Sequence, residues 1–100
     1  MVEKLTNMPR GVMLHQNYPN PFMTQTTFIY EIEKEGNLQL DVLNVFGARV
    51  ATLVDESHSP GVYRAGFEPM SLPAGMYTAV LRITSGQHVI SDYKVLTHIK

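Results

Sequence analysis

The chain has 100 residues, of which 44% are hydrophobic, and a formal net charge of −1, which suits one globular domain with a hydrophobic core. This charge does not favour nucleic acid as a partner, and no apolar run reaches the roughly 20 residues that cross a bilayer as a helix. The absence of cysteine excludes disulfides, thiolate nucleophiles and thiolate zinc sites.

The first 13 residues show no hydrophobic period and include Pro9 and Gly11. This pattern predicts a flexible lead-in or linker, followed by a domain that spans residues 14–100. The lead-in also lacks the apolar segment and the cleavage site of a signal peptide. Residues 12–15 could nevertheless form a short first strand.

The next segment, HQNYPNPF, contains two prolines one residue apart. Pro19 and Pro21 have no amide hydrogen and a fixed φ, so they cannot lie inside a sheet. The prolines also bias Tyr18 and Asn20 towards extended geometry. We expect a rigid corner that leads to the first core strand, with the rings of Tyr18 and Phe22 buried and the Asn20 side chain capping its own turn.

Alternation of apolar and polar residues predicts strands throughout the rest of the chain. The expected inward faces of the first two long strands are Phe28, Tyr30 and Ile32, and then Leu38, Leu40 and Val42, with Gln39 and Asp41 facing the other way. Further strands are predicted over residues 50–54, 62–67, 76–84 and 87–99.

Turns are predicted between these strands, one of them built on Asn44 and Gly47 and another at residues 85–86, while residues 55–61 form a polar loop. Tyr77 follows Gly75 at the start of a late strand, where it is either a tyrosine corner or an aromatic residue at the rim of the core. Short strands with turn signals about every 8 to 12 residues predict an all-β fold. We expect an immunoglobulin-like antiparallel β-sandwich of about seven strands, without the Cys and Trp of antibody domains.

No combination of residues predicts catalysis, a cofactor, a metal site or a small-molecule substrate. The four histidines lack metal-ligand spacing, and we expect them to be unrelated residues at the surface or rim; they are His15, His58, His88 and His98. Glu31, Glu33 and Glu35 are typical of a solvated strand face, with a weak calcium contact as the less favoured alternative. Ser57 and Ser59 flank a histidine, but adjacency in sequence does not make a catalytic triad.

Several segments resemble the C-terminal sorting domain of type IX secretion substrates in the Bacteroidetes and their relatives. They are QNYPNPF, TTFIYEI, LDVLNVFGARVATLV, GVYRAGFEPMSLPAGMYTAVL and a final YKVL. The same block is similar to the immunoglobulin-like domain of flagellar hook-capping proteins. The family's structural motif falls on Asn17, Tyr18, Pro19, Asn20, Pro21, Phe22, Gly47, Gly75 and Tyr77.

The resemblance implies a non-catalytic module that ends a larger exported protein and stays covalently linked to it through the periplasm. The outer-membrane secretion machinery reads the module, and the protein becomes secreted or displayed on the cell surface. A sorting protease commonly removes the module, here by a cut in the lead-in before Leu14, and a signal peptide would lie at the far N terminus of the parent protein. The candidate sorting signal is Tyr93, Lys94, Val95, Leu96, Thr97, His98, Ile99 and Lys100. We expect this tail to be free for recognition, so that trimming the last six residues leaves folding nearly intact.

Two alternatives remain open. One is a structural assembly module, as in a hook-capping protein, which binds subunits through sheet edges or loops. The other is an adhesion or carbohydrate-binding sandwich, which needs an exposed aromatic platform. The aromatic residues on predicted inward faces argue against it; they are Phe28, Tyr30, Tyr63, Phe67 and Tyr77.

Overall fold

The computed structural model of the chain describes residues 11–100, which form seven strands and no helix. The strands are β1 (Val12–Leu14), β2 (Thr26–Ile32), β3 (Gly36–Leu43), β4 (Arg49–His58), β5 (Gly61–Phe67), β6 (Gly75–Ser85) and β7 (His88–His98). No helix in this part of the chain is therefore long and apolar enough to cross a membrane.

The strands form two antiparallel sheets that pack face to face. The smaller sheet has the order β1-β2-β5 and the larger sheet has the order β4-β3-β6-β7. Inward side chains from both sheets make one continuous core. This is the expected immunoglobulin-like β-sandwich, and the predicted fold class is confirmed.

The core follows the alternation seen in the sequence. The predicted inward residues of β2 and β3 are all buried, and so are Tyr77, Ala79, Leu81 and Ile83 at alternate positions of β6. Of the five aromatic residues expected to face inward, four are buried and Tyr63 is half-buried. Period-2 patterning therefore sufficed to place the main faces of the sandwich.

Two boundaries differ from the sequence-based expectation. The polar loop predicted over residues 55–61 is wrong for most of its length, because β4 stays paired with β3 as far as His58. As an edge strand, β4 carries Asp55 and Glu56 without burying them, and such charges discourage pairing with other chains. At the other boundary, Val12 and Met13 belong to β1, two residues before the predicted domain start; residues 1–10 of the predicted lead-in lie outside the described residues.

The structure confirms the predicted turn at Asn44 and Gly47, and it decides between the two alternatives for Tyr77. In the β3–β4 turn, Asn44 Oδ1 accepts hydrogen bonds from the amides of Phe46 and Ala48, and Gly47 adopts a φ of 82°, which favours glycine. At the start of β6, the Tyr77 hydroxyl donates to the carbonyl oxygen of Pro73 at 2.5 Å. Since this bond reaches back four residues, Tyr77 is a tyrosine corner.

Candidate functional site

A buried asparagine holds the proline-rich segment between β1 and β2. Asn17 Nδ2 donates to the carbonyl oxygen of Pro19 at 3.2 Å and to Thr26 Oγ1 at 2.9 Å, while the Thr26 hydroxyl donates to the Pro19 oxygen at 2.8 Å. Both peptide bonds that precede the segment's prolines are cis. Because those prolines supply no amide hydrogens, buried side chains complete the hydrogen bonding of the corner. The expectation that Asn20 caps this turn is wrong, since its side chain bonds to β7.

The two aromatic rings of the segment have opposite environments. Phe22 is buried, as predicted, and its ring stacks on His98 with centroids 5.0 Å apart and packs against Phe67 at 6.1 Å. Tyr18 is 82% exposed, so its predicted burial is wrong. The backbone of Tyr18 exchanges two hydrogen bonds with Thr27, and residues directly opposite each other share a face. This pairing directs the Tyr18 ring to the outer face of the small sheet.

The same segment closes the side of the sandwich where β1 meets β7, which we call the β1/β7 flank (residues 14–22 and 92–99). Six hydrogen bonds cross it. They are Leu14 N to Asp92 Oδ2 (2.8 Å), Gln16 Nε2 to Val95 O (2.8 Å), Thr97 N to Asn20 Oδ1 (3.0 Å), Phe22 N to Thr97 O (3.0 Å), Ile99 N to Phe22 O (2.8 Å) and His98 Nδ1 to Phe22 O (3.4 Å). The proline-rich motif and the candidate sorting signal are therefore one hydrogen-bonded unit.

The candidate sorting signal is a folded strand as far as His98, and the expectation of a free tail is wrong. Leu96 and His98 are buried, while Tyr93 and Val95 point outward and are 63% and 40% exposed. Lys94 and Thr97 are half-buried, and the last two residues, Ile99 and Lys100, are exposed. Trimming the last six residues would remove Leu96 from the core, so the expectation that folding survives this change is not supported.

The structure also brings two motif residues next to this tail. Gly75 and Tyr77 pair with His98 and Leu96 across the β6–β7 ladder. Gly47 lies apart from them, in the β3–β4 turn. Six of the nine predicted motif residues form the corner segment, residues 17–22. Gly75 and Tyr77 pair with the final strand, so eight of the nine lie in or beside the contacts that hold the tail.

Tyr93 and Val95 belong to an exposed apolar patch, which we call the β6–β7 outer patch (Met76, Val80, Tyr93 and Val95). Val80 pairs with Tyr93 across the ladder, and Val95 lies one pair further along the same face. Met76 is also exposed, and Val80 is half-buried. Large apolar side chains that share one solvent-facing surface are typical of interaction sites.

Two of the four histidines are buried, so the expectation that all lie at the surface or rim is wrong. His98 packs on Phe22, and His58 packs beside the stacked rings of Tyr30 and Tyr63, closer to Tyr63. The Tyr30 hydroxyl and His58 Nε2 are hydrogen-bonded at 3.1 Å, whereas His58 Nδ1 has no hydrogen-bond partner among residues 11–100. Both imidazoles pack on aromatic rings, which the sequence spacing of histidines does not reveal.

This aromatic cluster changes the titration of one tyrosine. Burial raises the pKa of the Tyr30 hydroxyl above its ordinary value of 10.0, and the negative charge of Glu56 and the neighbouring Tyr63 act in the same direction. Both effects disfavour the phenolate, so Tyr30 stays protonated as a partner for His58.

Sequence analysis missed a buried carboxylate on the outer face of the larger sheet. Asp41 accepts hydrogen bonds from Thr52 Oγ1 at 2.8 Å and from Gln39 Nε2 at 3.0 Å. The guanidinium groups of Arg82 and Arg49 lie 3.7 and 3.9 Å from the same side chain. These partners come from three strands, and only the register of the sheet brings them together. We interpret the cluster as structural because hydrogen bonds and positive charges surround the carboxylate.

A shallow groove of about 460 Å³ lies on the outer face of the small sheet, lined by His15, Gln16, Tyr18, Thr27, Ile29 and Arg64. His15 Nε2 lies 2.6 Å from Glu31 Oε2 beside it. Among residues 11–100, no three His, Cys, Asp or Glu side chains converge on a possible metal position. The groove presents the exposed aromatic ring of Tyr18, a residue that the sequence predicted to be buried.

The fold and these contacts define a small immunoglobulin-like sandwich. Comparison with known proteins supports this fold and gives no information on function. No family model matches the sequence, and no curated protein matches it. A domain in the apo structure of Bacteroides uniformis beta-glucuronidase 3 is similar, with a TM-score of 0.50 and 16% sequence identity over 88% of this chain. The chain spans only 12% of the length of that protein.

Proposed function

We propose that this chain is a non-catalytic C-terminal sorting domain that directs a larger exported protein through the outer membrane by type IX secretion. The observation that carries the proposal is the β1/β7 flank. Two of the segments that carry the resemblance to the sorting family, QNYPNPF and the final strand, bind each other through backbone and side-chain hydrogen bonds. A signal made of two distant segments presents a defined surface only when the domain is folded.

We propose that the outer-membrane machinery recognises the β6–β7 outer patch. Tyr93 and Val95 are the parts of the candidate signal that solvent can reach on this face, whereas Leu96 and His98 are buried. Tyrosine is enriched among the residues that anchor protein interfaces, and Val95 adds apolar area beside Tyr93. Within residues 93–98, recognition therefore depends on the outward half of the strand.

We also propose that the sorting protease cuts before Val12. Val12 and Leu14 are buried in the core and pair with Ile32 and Tyr30 of β2. A cut after Val12 would divide β1, whereas a cut before it leaves the described sandwich complete. Export would deliver the upstream cargo first to the periplasm and then to the cell surface or the medium.

The test is export of a reporter enzyme fused to this domain in a bacterium that has type IX secretion. The double variant Tyr93→Thr and Val95→Thr should leave the reporter inside the cell. The matched control is Val89→Thr, which changes an exposed valine on the same face of β7 outside the patch and should be exported like the unmodified fusion. Thermal unfolding should show all three domains folded, because exposed substitutions usually change stability by less than about 0.5 kcal/mol.

The two possible failures are distinguishable. If the unmodified fusion stays in the cell, the sorting function is wrong. If the unmodified fusion and the double variant are both exported, the domain sorts its cargo but the β6–β7 outer patch is not the recognised surface.

A further inference from the structure

The sandwich has four edge strands, and they are not equally protected. On the β1/β7 flank, side chains and backbone of residues 14–22 occupy hydrogen-bonding groups of β7, and Asp92 accepts from the backbone of β1. The edge strand β4 shifts its register against β3 at two places and carries Asp55 and Glu56. Irregular pairing and charges both discourage the addition of another strand.

The remaining edge, β5, has no such contacts and no irregular pairing, and it carries one charged residue, Arg64. All seven of its residues pair with β2 in continuous register. No backbone hydrogen bond from the described residues reaches its other side. The strand contains no proline, and Val62 is 67% exposed on it. An edge of this kind leaves backbone N–H and C=O groups ready to pair with an extended chain.

The charge of Arg64 determines which partner strand can pair with β5. Arg64 is the central residue of β5 and the strand's one charged side chain, and it points outward opposite Ile29 of β2. It forms no ion pair with residues 11–100. If two copies of the chain paired through all seven residues of β5, Arg64 would lie opposite Arg64, and like charges in that position destabilise the pair. The edge therefore favours a different partner with a carboxylate at this position.

We propose that β5 binds an extended segment of another protein as an added strand, with an Asp or Glu side chain opposite Arg64. Backbone hydrogen bonds supply the binding, and the carboxylate sets the register and selects the partner. This surface lies on the opposite side of the sandwich from the β1/β7 flank, and the proposal does not depend on the sorting function.

The probe is a capped seven-residue peptide with the palindromic sequence Val-Thr-Val-Glu-Val-Thr-Val, compared with the same peptide carrying Lys at the centre. Binding is followed by the amide chemical shifts of the isotope-labelled protein. We expect shifts in residues 61–67 and about two- to fivefold tighter binding of the Glu peptide, as a cross-strand charge pair implies. In the Arg64→Glu variant the preference should reverse in favour of the Lys peptide.

The matched control is Lys100→Glu, which makes the same change of charge at an exposed residue outside β5 and should keep the preference for the Glu peptide. Unchanged shifts of core amides verify that both variants are folded. The proposal is overturned if neither peptide binds, if the two peptides bind equally, or if the largest shifts lie in β4 or β7. It is also overturned if residues 61–67 shift with protein concentration alone, since that result would indicate self-association.

Discussion

The two flanks of the sandwich join the same two sheets in different ways. On the β1/β7 flank, polar side chains and backbone groups from the proline-rich segment bond to the last strand. On the opposite side, β4 and β5 meet only through a tight turn and an aromatic cluster, in which the rings of Tyr30 and Tyr63 stack at 5.7 Å and His58 lies against Tyr63 at 4.3 Å. Hydrogen bonds run along the whole β1/β7 flank, whereas the contacts on the β4/β5 side are concentrated at one end, around His58 and Tyr63. Damage to the first should therefore cost far more stability.

The largest expected effect is removal of residues 95–100. The deletion takes away the buried Leu96 and His98 together with most of the flank's hydrogen bonds. A single buried leucine contributes about 2–5 kcal/mol, against a total stability of about 5–15 kcal/mol for a typical domain. We expect the shortened chain to lose its dispersed amide NMR spectrum. Deletion of Lys100 alone is the control and should keep the native spectrum; a native spectrum from the longer deletion would contradict the sealed flank.

Phe22→Ala tests the anchor of the corner segment. Loss of a buried phenylalanine should lower the free energy of unfolding by about 3–5 kcal/mol, because the cavity would open against His98 and Phe67. Denaturant titration measures this change. Phe46→Ala is the matched control, since Phe46 is 90% exposed and its loss should cost less than about 0.5 kcal/mol. Equal costs for the two variants would be incompatible with the packing described.

Asn17→Ala tests the hydrogen bonds that hold the corner. The variant leaves Thr26 and the Pro19 carbonyl without their amide partner, and we expect a loss of about 1–3 kcal/mol. Asn37→Ala, at an exposed position of β3, provides a control for the change of residue type. Hydrogen exchange at the Thr97 amide should also accelerate in Asn17→Ala, because the corner positions the Asn20 oxygen that this amide bonds. If exchange at the Thr97 amide is unchanged in Asn17→Ala, the Asn17 hydrogen bonds do not position Asn20 on the β1/β7 flank.

Tyr30 allows a milder test on the opposite side, by pH. Its pKa is raised in the folded protein, chiefly by burial. The stabilisation from keeping Tyr30 protonated is complete below the unfolded value of 10.0 and is lost as pH rises through the folded pKa. Tyr30→Phe should cost about 0.5–1.5 kcal/mol at neutral pH through the lost bond to His58 and should flatten the decline in stability above pH 10. Unfolding curves over this range would show parallel declines if Tyr30 were not responsible.

The sequence alone predicted the parts of the fold that depend on neighbouring residues. Alternation placed the inward faces of β2 and β3, and local turn chemistry identified Asn44 and Gly47. The strand predicted over residues 50–54 is shorter than β4, because the charged residues that follow are typical of a loop. An edge strand tolerates such charges. Local pattern is thus most reliable where one face of a strand is buried.

The candidate site was harder to predict, because its contacts join residues 75 to 79 positions apart. No local period indicates that Asn20 bonds to Thr97 or that Phe22 stacks on His98. The same limit applies to Asp41, whose partners come from separate strands. The resemblance to a family drew attention to residues 17–22 and 93–100, and the structure shows how these two segments contact each other.

The long separation between the two halves of the β1/β7 flank has a consequence for biosynthesis. Residue 22 is synthesised 75 residues before Thr97, the first of its partners at 97–99, so the flank stays open while most of the domain is being made. A chain that stops early cannot complete this closure, whatever precedes it. Closure of the flank thus reports that translation has reached the last strand, and machinery that engages only the closed form would pass over unfinished products.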